Sequence, residues 1–113
     1  MKIVVLYLAK AMLCIANQCY PALVGSSTPT GTFTLEQMET NEAGYGGEVF
    51  AFYEDDISVY AIHRLWLMKQ SEHRQARIQS TDPSVRVITH GCVNVTNDVY
   101  NQLEDGDELI IEP

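Results

Sequence analysis

Short β-branched and apolar runs, each cut off by turn residues, set the tightest limit on what this chain can fold into. Residues 2–8 are an almost continuous run of that kind, the pattern of a strand buried on both faces. Met12 to Ala16 and Cys19 to Val24, split by Asn17-Gln18, form a hairpin in this reading, as do Glu48 to Tyr53 and Ile57 to Ile62 across an acidic turn. Alternation in the second hairpin places His63 at the end of a strand, on the face of Val59 and Ala61. Gly25-Ser26-Ser27 and Thr28-Pro29-Thr30-Gly31 are turn-rich and lead into a strand over Thr32 to Leu35. Arg86 to Thr89 and Glu108 to Ile111 return to strand character. Helical signals are confined to Ser71 to Gln79, with Ser71 as the cap, and to Asn97 to Leu103, capped by Thr96 or Asn97. Asn41 to Gly47 holds three glycines and reads as a flexible loop able to move over a site. The expectation is a mainly β fold, residues 1–113 forming one domain, with two short helices.

A length of 113 residues, 46% of them apolar, suffices for one modest core and not for two. The net charge of −8, with acids clustered at Glu48 to Asp56 and Asp98 to Glu112, repels a phosphate backbone and argues against a nucleic-acid partner. The positive charge is local: five of the seven basic residues, Arg64, Lys69, Arg74, Arg77 and Arg86, lie in one stretch, suited either to an anionic ligand or to a solvated face. Met1 to Ala11 superficially copies a secretory signal, but the apolar run Ile3 to Leu8 is short and Lys10 interrupts the residues after it, so no export address is readable. No segment approaches the ~20 apolar residues of a membrane span. Of Cys14, Cys19 and Cys92, only the first two make a plausible internal pair. A turn at Asn17-Gln18, however, sets Cys14 opposite Pro21, so both are expected as small core residues.

Chemistry concentrates at Thr89-His90-Gly91-Cys92-Val93-Asn94, where a strand ends and turns. A cysteine at a turn has accessible sulfur, and Gly91 lets the backbone approach a bound carbonyl. An unassisted thiol, with a pKa of ~8.5, is mostly protonated at neutral pH and needs a base. His63 and His90 are the candidates. His63, from another strand, is preferred as the base and His90 is given an orienting role. The backbone N–H groups at Gly91 and Cys92 are candidate oxyanion donors. His63, His90 and Cys92 are legitimate zinc ligands, but no fourth ligand stands at suitable spacing, so neither metal nor cofactor is called for.

The hexapeptide Thr89 to Asn94 resembles the Ser/Thr-His-Gly-Cys-hydrophobic-Asn signature of the YkuD-type L,D-transpeptidases. Thr28-Pro29-Thr30-Gly31-Thr32-Phe33 is similar to that family's Thr-Pro-x-Gly-x-Phe segment, and Ala61-Ile62-His63 to its upstream histidine. The three stand in family order between Thr28 and Asn94. Residues 64–88 make a longer gap between His63 and Thr89 than the family usually has, and Arg64 replaces the small residue that commonly comes after the histidine. A backbone carbonyl, that of Arg64, is the expected partner that orients the imidazole.

The resemblance implies a β-sandwich-like catalytic domain and acyl transfer on peptidoglycan stem peptides. Cys92 would attack the carbonyl of the third residue and expel terminal D-alanine. The thioester would pass to an amine, giving a 3→3 cross-link or D-amino-acid exchange, or to water, giving L,D-carboxypeptidase trimming. His63 would serve as base, with His90 and Asn94 shaping the site and Asn94 and Thr89 also expected to contact substrate. Arg64, Arg74, Arg77 or Arg86 would clamp a stem carboxylate, Arg86 being the first choice, with Tyr45 and Trp66 as cleft-lining candidates. Thr28 to Phe33 is either a structural turn or a substrate contact. The expected site of action is the periplasm or cell wall. A delivered antibacterial effector, with an immunity protein as partner, is the alternative setting, and a wall-binding module without turnover is the alternative class.

Overall fold

A computed structural model describes residues 1–113. Two twisted sheets pack face to face. The first has five strands: β1 (Ile3–Tyr7), β2 (Met12–Ile15), β3 (Gln18–Pro21), β5 (Gly31–Thr34) and β11 (Glu108–Glu112), in the order β3-β2-β1-β11-β5. The second has four: β6 (Glu36–Glu39), β7 (Glu48–Glu54), β8 (Val59–Arg64) and β10 (Val93–Val95), in the order β10-β8-β7-β6. A third, two-stranded ribbon joins β4 (Val24–Gly25) to β9 (Val87–Thr89) in parallel. The helices are α1 (Arg74–Gln79) and α2 (Asn97–Tyr100). The sequence-based expectation of a mainly β sandwich with two short helices holds.

The core lies between the sheets. Val4, Leu6, Leu13, Ile15, Leu109 and Ile111 face inward from the first sheet, and Phe50, Phe52, Tyr60, Ile62, Val93 and Val95 meet them from the second. Period-two alternation produces this directly, since every second side chain of a strand points to one face. It also corrects the reading of residues 2–8: Val4 and Leu6 are buried but Ile3 and Tyr7 are exposed, so β1 buries one face only. β1 pairs parallel with β11, drawing the two ends of the chain together, and buried Asp107 fastens that junction by accepting from the Lys2 amide at 3.1 Å and its ammonium at 2.8 Å.

The first hairpin turns one residue earlier than expected. Ala16 adopts φ 54° and Ile15 pairs with Gln18, which places Cys14 opposite Cys19 in a disulfide; neither cysteine belongs to the core. Both registers keep Leu13, Ile15 and Tyr20 on the inner face, so the apolar pattern could not choose between them. The segment after β8 departs as well. In place of one helix capped by Ser71, a 3₁₀ turn over Gln70–Glu72 ends at His73 in the left-handed region, and α1 begins only at Arg74. Arg74 Nε donates to the Glu72 carboxylate and Arg77 Nε to the Glu72 carbonyl, both at 2.8 Å, and these bonds hold the break.

Candidate active site

β8 and β10 run parallel side by side, with Ile62 paired to Val93 and His63 to Asn94. This register carries the end of one strand beside the start of another, and brings His63 and Cys92, remote from each other in the chain, to one open cleft of about 280 Å³. Tyr45, Tyr60, Trp66, Arg74, Thr89, His90 and Gly91 also line it.

His63 is buried, 2% exposed, and its Nδ1–H donates to the Arg64 carbonyl at 2.6 Å, as the sequence led us to expect. That bond fixes the tautomer and leaves Nε2 as the ring nitrogen able to take a proton. Burial, opposed by the Arg64 carbonyl and assisted by the Arg74 charge, lowers its pKa from 6.5 to about 4, so the ring is neutral at neutral pH. Tyr45 packs edge-on against the imidazole, the ring centroids 4.7 Å apart. Cys92 is half-buried, its Sγ 3.9 Å from the Val59 carbonyl. Burial pushes the thiol above its ordinary range, while the Ala61 backbone and the Arg74 charge pull the other way. The resting pair is therefore a neutral thiol and a neutral imidazole. Neither the Gly91 nor the Cys92 amide donates to an acceptor within the protein.

The Cys92 turn is held from two sides. Internally, Thr89 Oγ1 donates to the Cys92 carbonyl at 2.6 Å. Externally, residues 22–28 run along the whole motif. Leu23 and Asn94 exchange backbone bonds at 2.9 Å, the Ser27 amide donates to His90 O at 3.2 Å, and buried Thr28 donates its hydroxyl to Gly91 O at 2.8 Å while accepting from the Gly25 amide at 3.0 Å. A Cβ at Gly25 would lie 2.5 Å from the His90 and Thr89 backbone, and one at Gly91 would lie 2.7 Å from the Tyr60 ring. The Thr28-Pro29 segment thus braces the turn rather than lining the cleft. Glycine alone permits that approach.

Three expected substrate contacts are elsewhere. Arg86, the first choice for a carboxylate clamp, is 3% exposed and donates to the carbonyls of Ala11, Lys10 and Ser80, so it ties α1's neighbourhood to the first sheet. Arg64 is next to His63 on the strand, so alternation turns it to the opposite face; there its guanidinium lies 4.0 Å from the Tyr100 ring centre and 3.6 Å from a Glu48 oxygen. Asn94 is fully buried, and its Oδ1 accepts from the Trp66 amide at 3.1 Å and Arg74 Nη1 at 3.0 Å, while Nδ2 stands 3.5 Å from His63 Nε2. It organises the site from behind. His90 is exposed and lines the cleft, with Nε2 3.4 Å from the Tyr60 hydroxyl, on the Cys92 side and without a bond to His63. The cation at the cleft is Arg74, one of four arginines the sequence offered without ranking it first. Its phase depends on the left-handed break at His73, which no residue pattern announces.

No family model matches the chain, and no curated protein matches it in sequence. Comparison of folds does find similar structures. An L,D-transpeptidase (residues 123–326) from Xylanimonas cellulosilytica DSM 15894 superposes with TM-score 0.61 at 19% identity, over 98% of this chain and 60% of that one. L,D-transpeptidase 3 from Mycobacterium tuberculosis does so with TM-score 0.64 at 12% identity, over 99% and 61%. The helical cell shape determining protein Pgp2 (K307A mutant) from Campylobacter jejuni gives TM-score 0.62 at 14% identity, over 98% and 46%. The fold is that of the L,D-transpeptidases, the YkuD-like class indicated by the three sequence segments. The chain spans about 60% of the length of the first solved structures it matches.

Proposed function

We propose that the protein is a cysteine-dependent acyl transferase of the L,D-transpeptidase type, acting on peptidoglycan tetrapeptide stems in the periplasm or cell wall. The observation that carries this reading is the shared cleft of Cys92 and a His63 whose Nδ1 is committed to the Arg64 carbonyl, which makes Nε2, with Asn94 Nδ2 3.5 Å away, the nitrogen that acts as base. Sγ–H gives its proton to Nε2 as the sulfur attacks the carbonyl of the third stem residue. The Gly91 and Cys92 amides take the developing oxyanion, each donor worth about 3 kcal/mol in comparable sites. The imidazolium returns the proton to the leaving D-alanine amine, and a thioester on Cys92 remains. An amine then attacks with His63 as base, giving a 3→3 cross-link or an exchanged D-amino acid; water in its place gives a trimmed stem. His90 at the rim and Thr89, which closes the turn, keep the sulfur presented.

The test is incubation with purified tetrapeptide muropeptides and mass spectrometry of the products. Wild type should release D-alanine, and the products distinguish amine from water as acceptor. Cys92→Ala should lose at least about a thousandfold in rate with an unchanged circular dichroism spectrum. The M. tuberculosis L,D-transpeptidase 3 has been solved with a faropenem-derived adduct. Faropenem should accordingly add its mass to wild type and not to Cys92→Ala. Undiminished D-alanine release by that variant would remove the sulfur from the mechanism.

A further inference from the structure

Beside the Cys92 cleft lies a second, wider one of about 570 Å³, lined by Lys69, Gln70, His73, Arg74, Gln75 and Gln79 among its polar residues and by no carboxylate. Arg74 borders both clefts, so one residue is shared between them. In a chain with net charge −8, this concavity is lined by Lys69 and Arg74 and by no acid, while Arg74 is itself paired with Glu72 at 2.8 Å from behind. The other cations of the segment are committed elsewhere: Arg64 to Glu48 and the Tyr100 ring, Arg77 to the carbonyls of Glu72 and Val85, Arg86 to three backbone oxygens. Lys69 enters no ion pair. Arg74 is held rigidly, Nε on Glu72 at 2.8 Å, Nη1 on Asn94 at 3.0 Å and the guanidinium 5.0 Å from the Trp66 ring centre, and these bonds leave Nη2 unused. A guanidinium pre-oriented in this way loses little freedom when it receives an anion.

We infer that this second cleft is a carboxylate-recognition annex: Arg74 and Lys69 receive a carboxylate of the donor peptide whose scissile carbonyl sits at Cys92. The inference rests on the proposed acyl-transfer reading and deepens it, by requiring an anionic donor. A stem peptide carries carboxylates beyond the scissile bond. One of them, seated on the far side of Arg74, fixes the register of the chain across the sulfur, which is where binding energy is converted into orientation.

The experiment measures D-alanine release from a tetrapeptide and from the same peptide with its carboxylates converted one at a time to carboxamides, using wild type, Lys69→Gln, Lys69→Arg and Arg74→Gln. Lys69→Gln should raise KM about fivefold for the acidic peptide with kcat within about twofold, as fits one partly solvated charge contact. Lys69→Arg should restore KM. Against one particular carboxamide peptide the Lys69→Gln penalty should vanish, identifying the carboxylate received. Arg74→Gln should show a larger penalty, relieved on that same carboxamide peptide. An unchanged KM in Lys69→Gln, a penalty equal for all peptides, or an effect confined to the KM of an amine acceptor overturns the annex while leaving turnover intact. Amide chemical shifts of the Cys92→Ala protein, titrated with the tetrapeptide, separate the two levels. Shifts at Lys69, His73 and Arg74 without any wild-type turnover would sink the acyl-transfer reading and keep the binding site, whereas turnover without those shifts would do the reverse.

Discussion

His63 and Cys92 rest uncharged, and that determines how the site responds to pH. The imidazole must be neutral to accept a proton, and burial has lowered its pKa to about 4. The acid limb of kcat/KM should therefore fall well below pH 6, in contrast to the limb near 6.5 of a solvated histidine. Because burial raises the Cys92 pKa, iodoacetamide should alkylate it more slowly at pH 7 than a small free thiol, with a rate still climbing at pH values where the free thiol's has levelled. Rapid alkylation at pH 6 would instead reveal a resting thiolate–imidazolium pair. Stability carries the same signature. The unfolded chain protonates His63 at pH 6.5 and the folded one only near 4, so the contribution is full above 6.5, declines as pH falls between these values, and is level below. For Asp107, burial acts upward but the Lys2 contacts outweigh it and hold the carboxyl below its ordinary 3.8, so its contribution is lost only at more acid pH. Urea unfolding at pH 7 and pH 5 should show a loss of about 2 kcal/mol in wild type that shrinks in His63→Asn.

At the level of elements, the active turn is a product of two segments far apart in sequence. Residues 22–28 and 87–94 lie against each other through the β4–β9 ribbon, the Leu23–Asn94 bridge and the Thr28 hydroxyl. Gly25→Ala should destabilise the protein by about 1–3 kcal/mol, because its Cβ meets rigid backbone rather than a movable side chain. Thr28→Val, which leaves the Gly91 carbonyl without its buried donor, should cost about 1–3 kcal/mol and lower kcat more than it raises KM. Denaturant unfolding and steady-state kinetics on the same samples check both. Glycine's part at position 25 was invisible in the sequence, where Gly25-Ser26-Ser27 reads as an ordinary turn. The close approach exists only once both segments are placed.

For the molecule as a whole, the β2–β3 hairpin is clipped covalently by Cys14–Cys19, five residues apart. A loop that short constrains the unfolded chain little, so reduction, or Cys14→Ser with Cys19→Ser, should lower stability by about 2 kcal/mol and leave the fold standing. Thermal unfolding with and without reductant measures it; complete unfolding on reduction would show the core to be weaker than its packing indicates. The disulfide also agrees with action outside a reducing compartment. Cys92 is the one remaining thiol, which keeps the proposed nucleophile apart from the structural pair.

Residue order alone specified the features that are encoded locally: the strand runs, because side-chain alternation has a fixed period of two; the turn bearing Cys92; and, through three short segments in order, the thiol and imidazole proposed here as the reacting pair. It also anticipated the Arg64 carbonyl as the partner of His63, since a strand-end ring reaches its own neighbouring backbone. Packing in three dimensions selected which arginine reaches the cleft, made Asn94 and Arg86 buried organisers, set residues 22–28 as the brace of the Cys92 turn, and chose the hairpin register that joins Cys14 to Cys19. Each of these depends on contacts between segments remote in the chain or on one left-handed residue such as Ala16 or His73. A one-dimensional pattern carries neither, because the energies that select them arise only when the sheets are packed together.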